Sequence, residues 1–325
     1  MQTLIHPGRR LHGRAMMGHY LCWAVIALIA AQLLLQPKFS TWHNLMNLSR
    51  TTALLMLLSV GQMFVILVRG FDLSIGATMA FTSIAVASVL AACAGDMPVF
   101  PASCLAFAVA VATGTLIGLV NGVCVARLRV HGFIVTLGMS SIILGLALWL
   151  TDGVPVYGMP RPFIVQMGRA SWLGLSSFVW VTAFFVCMLA LLHNRTRTGK
   201  FMMAVGADPR ASVLSGINTQ IYLVLPYIIC SICAALGSLL LTAQIGSGQA
   251  SIGIPFTFQS IAVCIIGGVS LAGGRASVSQ VLVAAVFMQL LNNGFELLRW
   301  PSPLQAVIAG VIVIGVAISH LGRKG

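Results

Sequence analysis

Apolar runs of membrane-crossing length alternate with short polar breaks along almost the whole chain. The alternation predicts helices at residues 16–35, 51–68, 75–94, 102–125, 133–150, 172–193, 221–243, 256–271, 277–298 and 303–320. A hydrocarbon core about 30 Å thick needs about 20 residues of helix, which most of these runs supply or approach. No polar stretch between them exceeds about thirty residues, too few to fold as a soluble domain. The expected fold is all-α: a polytopic integral membrane protein of about ten transmembrane helices, residues 1–325 forming a single domain. In lipid the backbone must satisfy its own hydrogen bonds, and helices do so.

Within this pattern one stretch occurs twice. Residues 74–86 read SIGATMAFTSIAV and residues 251–263 read SIGIPFTFQSIAV, with eight of thirteen positions identical. Chance gives about one or two in so biased a composition. A weaker echo pairs Asn121, Gly122, Arg127 and Gly138 with Asn293, Gly294, Arg299 and Gly310. The two registers are offset by 177 and 172 residues, a difference of one short loop. Two related halves follow, about 45–150 and 220–320. Membrane proteins commonly build a pathway between such halves.

Composition supports the membrane reading, with 59% hydrophobic and only 7% charged residues, where soluble domains carry about 25% charged. The net charge of +13 raises the question of nucleic acid, and its distribution answers it. With the N-terminus in the cytoplasm and ten crossings, thirteen basic residues fall inside and five outside (Lys38, Arg50, Arg161, Arg169 and Arg299). This is the positive-inside asymmetry of a multi-pass membrane protein with both termini cytoplasmic, and no nucleic acid is implied. The halves then run in opposite senses, Ser74 near the inner face and Ser251 near the outer, an inverted internal repeat. The basic N-terminus reads as an uncleaved first anchor, since nine further spans follow it.

Soluble chemistry is hard to find. Residues 267–275 (GGVSLAGGR) are glycine-rich but lack the Lys-Ser/Thr that grips phosphate and magnesium, and read as close packing and a turn. The seven histidines show no metal-ligand spacing, and no cofactor is called for. The eight cysteines read as small packing residues, although Cys93 and Cys104 flank a loop that a bridge could close. Two acids stand near membrane ends: Asp72, in a break between two apolar runs, and Glu296. Two such acids make a poor proton relay. Asp72 reads either as a cap for the following helix or as part of a pathway. Asn121 and Asn293 need partners within apolar helices, either across a helix interface or along a wet route.

The longest loop, residues 194–218, mixes basic residues with a short amphipathic piece. Asp208 suits an N-cap, Pro209 the first helical position and Gly216 the end. A short helix here can dock into another protein, with Ala211, Val213 and Leu214 for contact, or rest on membrane lipid.

Several separated motifs, in order, resemble the permease subunits of ribose/sugar-type ATP-binding-cassette importers. They are residues 61–76 (GQMFVILVRGFDLSIG), 133–137 (FIVTL), the loop 198–217, 267–274 (GGVSLAGG) and 290–298 (LLNNGFELL), and the match covers about 40–320. The resemblance implies that the loop engages a separate cytoplasmic ATPase through Gly199, Ala204, Val205, Gly206, Asp208, Ala211, Ser215, Gly216 and Ile217. It implies a second permease subunit enclosing one pathway, and a periplasmic sugar-binding protein docking outside. Pathway candidates are Asp72, Asn121, Asn293 and Glu296, with no catalytic or metal residues.

The chain departs from the family pattern at three places. Arg69 stands where relatives have a small residue, Thr257-Phe258-Gln259 replaces a Glu-Leu-Asp trio, and Ala207-Asp208 replaces Gly-Asn. Loss of two acids at Thr257 and Gln259 alters either a binding-protein contact or only surface charge. Rival readings are an ion-coupled secondary carrier, which would share the repeat, and a passive channel, which would need no coupling loop.

Overall fold

In the computed structural model, the described residues are 7–93, 97–301, 304, 305, 307, 308, 310, 311, 314 and 315. Most of the expected span 303–320 and the last residue of the expected span 75–94 lie outside them. The helices are α1 (Pro7–Leu35), α2 (Trp42–Leu67), α3 (Ile75–Ala92), α4 (Val99–Leu128), α5 (Gly132–Thr151), the single turn α6 (Arg161–Phe163), α7 (Ser177–Arg195), α8 (Arg197–Ala207), α9 (Pro209–Leu214), α10 (Thr219–Ile245), α11 (Ile254–Ile266) and α12 (Val278–Leu297). A π-helical turn at Ile164–Arg169 follows α6. The fold is all-α, as expected.

Among the described residues, seven helices are long and apolar enough to cross a membrane: α2, α3, α4, α5, α7, α10 and α12. Tyr20–Leu35 and Ile254–Ile266 are shorter apolar helices. At 1.5 Å per residue the 13 residues of α11 reach about 20 Å, short of a full crossing. The expected span 172–193 starts late, because Ser171–Trp172 and Leu175–Ser176 form a small antiparallel hairpin. Its two turn residues, Leu173 and Gly174, have φ of 51° and 78°, the left-handed pair a tight hairpin needs.

Burial is deepest along α2, α3 and α10, while α4, α5 and α7 present most of their surface outward. The tightest seam joins α4 to α10. A Cβ added at Gly114, Gly118 or Gly122 would stand 2.7 Å from Ser231 O, 2.6 Å from Ile228 Cα and 2.8 Å from Val224 Cα. Glycines spaced by four lie on one helix face, so the backbones approach at a distance no side chain allows. The cysteines are all free, Cys93 and Cys104 included, and Cys230, Cys233 and Cys264 are buried as packing residues.

The two copies of the repeated stretch meet. Gly76 of the first lies against Gly253 O at 2.8 Å from where its Cβ would be, and Gly253 of the second lies against Gly76 O and Met79 Cβ. These glycines are equivalent positions of the repeat. Gly76 is the second residue of α3 and Gly253 directly precedes α11, each helix following an unwound segment, 68–74 or 246–253.

Candidate functional site

The break before α3 forms because residues 68–74 cannot continue α2. Arg69 takes φ of 67°, and Gly70 packs so close to the Tyr227 hydroxyl and Val65 that only glycine fits. The backbone then delivers Asp72, fully buried, to the start of α3. Asp72 Oδ1 accepts from the Ser74 amide at 2.8 Å and the Ser74 hydroxyl at 2.6 Å. Asn121 Nδ2, from α4, donates to Ser74 Oγ at 2.9 Å.

Asp72 and Asn121 are thus brought together through Ser74. Asp72 anchors the residue before α3 rather than capping a later amide, a variant of the capping role. Among the described residues Asp72 Oδ2, Asn121 Oδ1, the Tyr227 hydroxyl and Gln62 Nε2 are buried without hydrogen-bond partners. Unpaired buried polar atoms are costly and unusual, so this cluster at the helix break is a place where polar contacts can still be made.

Asn293 lies in a different network. Its amide exchanges hydrogen bonds with Asn44 of α2, Nδ2 to Oδ1 at 2.8 Å and Asn44 Nδ2 back to Asn293 Oδ1 at 3.2 Å. That reciprocal pair ties α12 to α2, the kind of contact the packing reading of this residue calls for. Glu296, one turn on, is exposed. The repeat-equivalent asparagines therefore sit in separate interfaces.

The second region is the loop 194–218. Thr196 caps α8 by accepting from the Gly199 amide at 3.2 Å. Asp208 caps α9 as expected, its Oδ1 accepting from the amides of Arg210 at 2.9 Å and Ala211 at 3.0 Å. Pro209 occupies the first helical position and Gly216, with φ of 76°, follows the end. The named coupling residues divide into two groups. Gly199 packs on the carbonyls of Leu192 and His193, Val205 is buried, and Gly206 packs on Leu67 O; Ala204 is half-buried. Asp208, Ala211, Ser215 and Gly216 are exposed, with Ile217 half-buried. Beside them Val213 is 58% exposed and Leu214 89%. The first group fastens the loop to the membrane body, and the second presents α9 outward with two bare apolar side chains.

Two contacts escaped the sequence reading. Thr257 is buried, not on the surface, and its Oγ1 accepts from the Gly76 amide at 3.0 Å where the repeated stretches cross. Neither a binding-protein contact nor surface charge accounts for Thr257; Gln259 is half-buried. Arg69, a marked departure, reaches the loop: Nε donates to Gly206 O at 2.7 Å and a terminal nitrogen donates to Ala207 O. Only the departure from pattern signalled these positions, since hydrogen bonds between residues over a hundred apart leave no periodicity.

Over residues 44–317 the chain matches the family described as branched-chain amino acid transport system / permease component. It is 33% identical over 319 residues to the ribose import permease protein RbsC of Escherichia coli K12, covering 97% of each chain. The D-allose transport system permease protein AlsC of the same strain is 31% identical, over 94% of this chain and 92% of that one. The galactose/methyl galactoside import permease protein MglC of Salmonella typhimurium is 30% identical, over 91% and 92%. No solved structure matches the chain.

Proposed function

The chain belongs to the branched-chain amino acid transport system permease component family, and on that premise we propose that it is the membrane-spanning permease subunit of an ATP-driven sugar importer. The observation that carries this reading is full-length similarity, 33% identity over 97% of each chain, to a ribose import permease. Relatives named for allose and galactose permeases fit the same class, so the cargo is a pentose, hexose or related small polyol.

The chain is a multi-pass membrane protein that forms the route. Hydrolysis belongs to a separate cytoplasmic ATPase, and the sugar arrives on a periplasmic binding protein. Two permease subunits, identical or paired, enclose one pathway. The halves at about 45–150 and 220–320 form an inverted repeat, supported by the meeting of Gly76 with Gly253. Both termini and the loop 194–218 face the cytoplasm, where exposed α9 docks on the ATPase while Gly199, Val205 and Gly206 hold its base. Asp72 and Asn121 border the polar route at the α3 break; Asn293 locks α12 to α2.

Co-expression with the ATPase and binding protein encoded beside it tests this reading. The three chains should purify together, and the complex should hydrolyse ATP faster when the binding protein carries ribose, allose or galactose. Purification without any ATPase, or hydrolysis indifferent to every sugar, contradicts it.

A further inference from the structure

Arg69 lies between the end of α2 and the buried Asp72, with φ of 67°, a left-handed conformation that favours glycine. Its side chain is held from across the chain. Nε donates to Gly206 O at 2.7 Å and a terminal nitrogen donates to Ala207 O. These are the last carbonyls of α8, which lack partners within their own helix, and the guanidinium also meets the negative end of that helix dipole. The stem crosses Gly273, whose added Cβ would stand 2.5 Å from Arg69 Cγ. Alongside, Gly274 N donates to Leu67 O at 2.8 Å, and Gly206 packs on that same carbonyl. On one side of this junction Asp208 starts α9. On the other, Asp72 holds Ser74, and Ser74 accepts from Asn121.

We propose that Arg69 is the positioning residue that couples the loop carrying α9 to the break before α3. A displacement of α8 and α9 reaches Asp72, Ser74 and Asn121 through the guanidinium. The proposal rests on the importer reading, in which the ATPase moves that loop. Two donors in a rigid fork fix direction as well as distance, which the single ammonium of a lysine does not. The fork grips the loop at the residue before the α9 cap, and its own backbone lies three residues from the buried carboxylate. A push on α9 therefore has a short, hydrogen-bonded route to the membrane interior.

The test compares Arg69→Gly and Arg69→Lys with the wild type in proteoliposomes holding permease, ATPase and binding protein. Glycine suits the left-handed backbone and removes the fork; lysine keeps the charge and loses the fork. Both variants are expected at wild-type abundance with the ATPase bound. Sugar taken up per ATP hydrolysed should fall about five-fold or more, with hydrolysis in Arg69→Gly no longer responding to the loaded binding protein. Unchanged uptake per ATP in Arg69→Gly overturns the proposal. So does reduced abundance with the surviving transporter fully coupled, which marks a packing residue only. A wild-type chain that neither binds the ATPase nor transports sugar overturns the importer reading and this proposal with it, before either variant is compared.

Discussion

Asn121 and Asn293 occupy equivalent places in the repeat and make different contacts. Asn293 and Asn44 satisfy each other across α12 and α2. Truncating Asn44 leaves the buried Asn293 amide short of its partner, at about 1–3 kcal/mol, while the half-buried Asn44 amide keeps its bond to Phe39 O when Asn293 is truncated. Asn293→Leu and Asn44→Leu are each expected to lower the melting temperature of the detergent-purified protein, and the double variant to cost less than the sum. Additive losses would deny the pair. Asn121 keeps a free Oδ1 and is linked to Asp72 through Ser74, so Asn121→Leu should leave abundance near wild type and slow uptake. Wild-type uptake removes Asn121 from the route. Both asparagines were legible as polar residues in apolar helices, but Asn44, near the start of α2, offered no periodic signal to identify it as a partner.

Among the elements, α4 and α10 depend on glycine. Gly118→Val must push against the Tyr227 carbonyl and Ile228 Cα, both 2.6 Å from an added Cβ. Loss of most folded protein in a membrane-abundance assay is expected, because backbone cannot yield as a side chain does. Gly138 of α5 has nothing within 4 Å, so Gly138→Ala should be neutral or gain up to about 1 kcal/mol from helix propensity. Equal effects at the two sites would contradict the packing described. The loop divides in the same way. Gly206→Trp should cost folded protein, whereas Leu214→Glu, at a bare tip, should leave abundance unchanged and abolish ATPase copurification; copurification at wild-type yield would remove α9 as the docking element. The α9 caps were legible because Asp-Pro and a trailing glycine act locally. The fastening of α8 was not, because it lies between distant backbones.

At the scale of the whole molecule, the spans were legible because bilayer thickness imposes length and composition together, and nine of the ten expected spans coincide with a described helix. Their ends were less so: α11 stops at Ile266 because Gly267–Gly274 turns away, with positive φ at three of its glycines. The duplicated stretch was visible in the sequence, but not that its copies meet at Gly76 and Gly253. Orientation is a separate question, and Ser215→Cys in a cysteine-free background should react only with reagents admitted to the cytoplasm. Labelling from outside in intact cells would reverse the topology. The most direct measurement is sugar uptake into proteoliposomes containing the permease, its ATPase and its binding protein. Uptake of at least one of ribose, allose and galactose should require ATP on the ATPase side and vanish with a hydrolysis-dead ATPase, whatever proton or sodium gradient is imposed. Uptake driven by an ion gradient in the absence of ATP would contradict the importer reading.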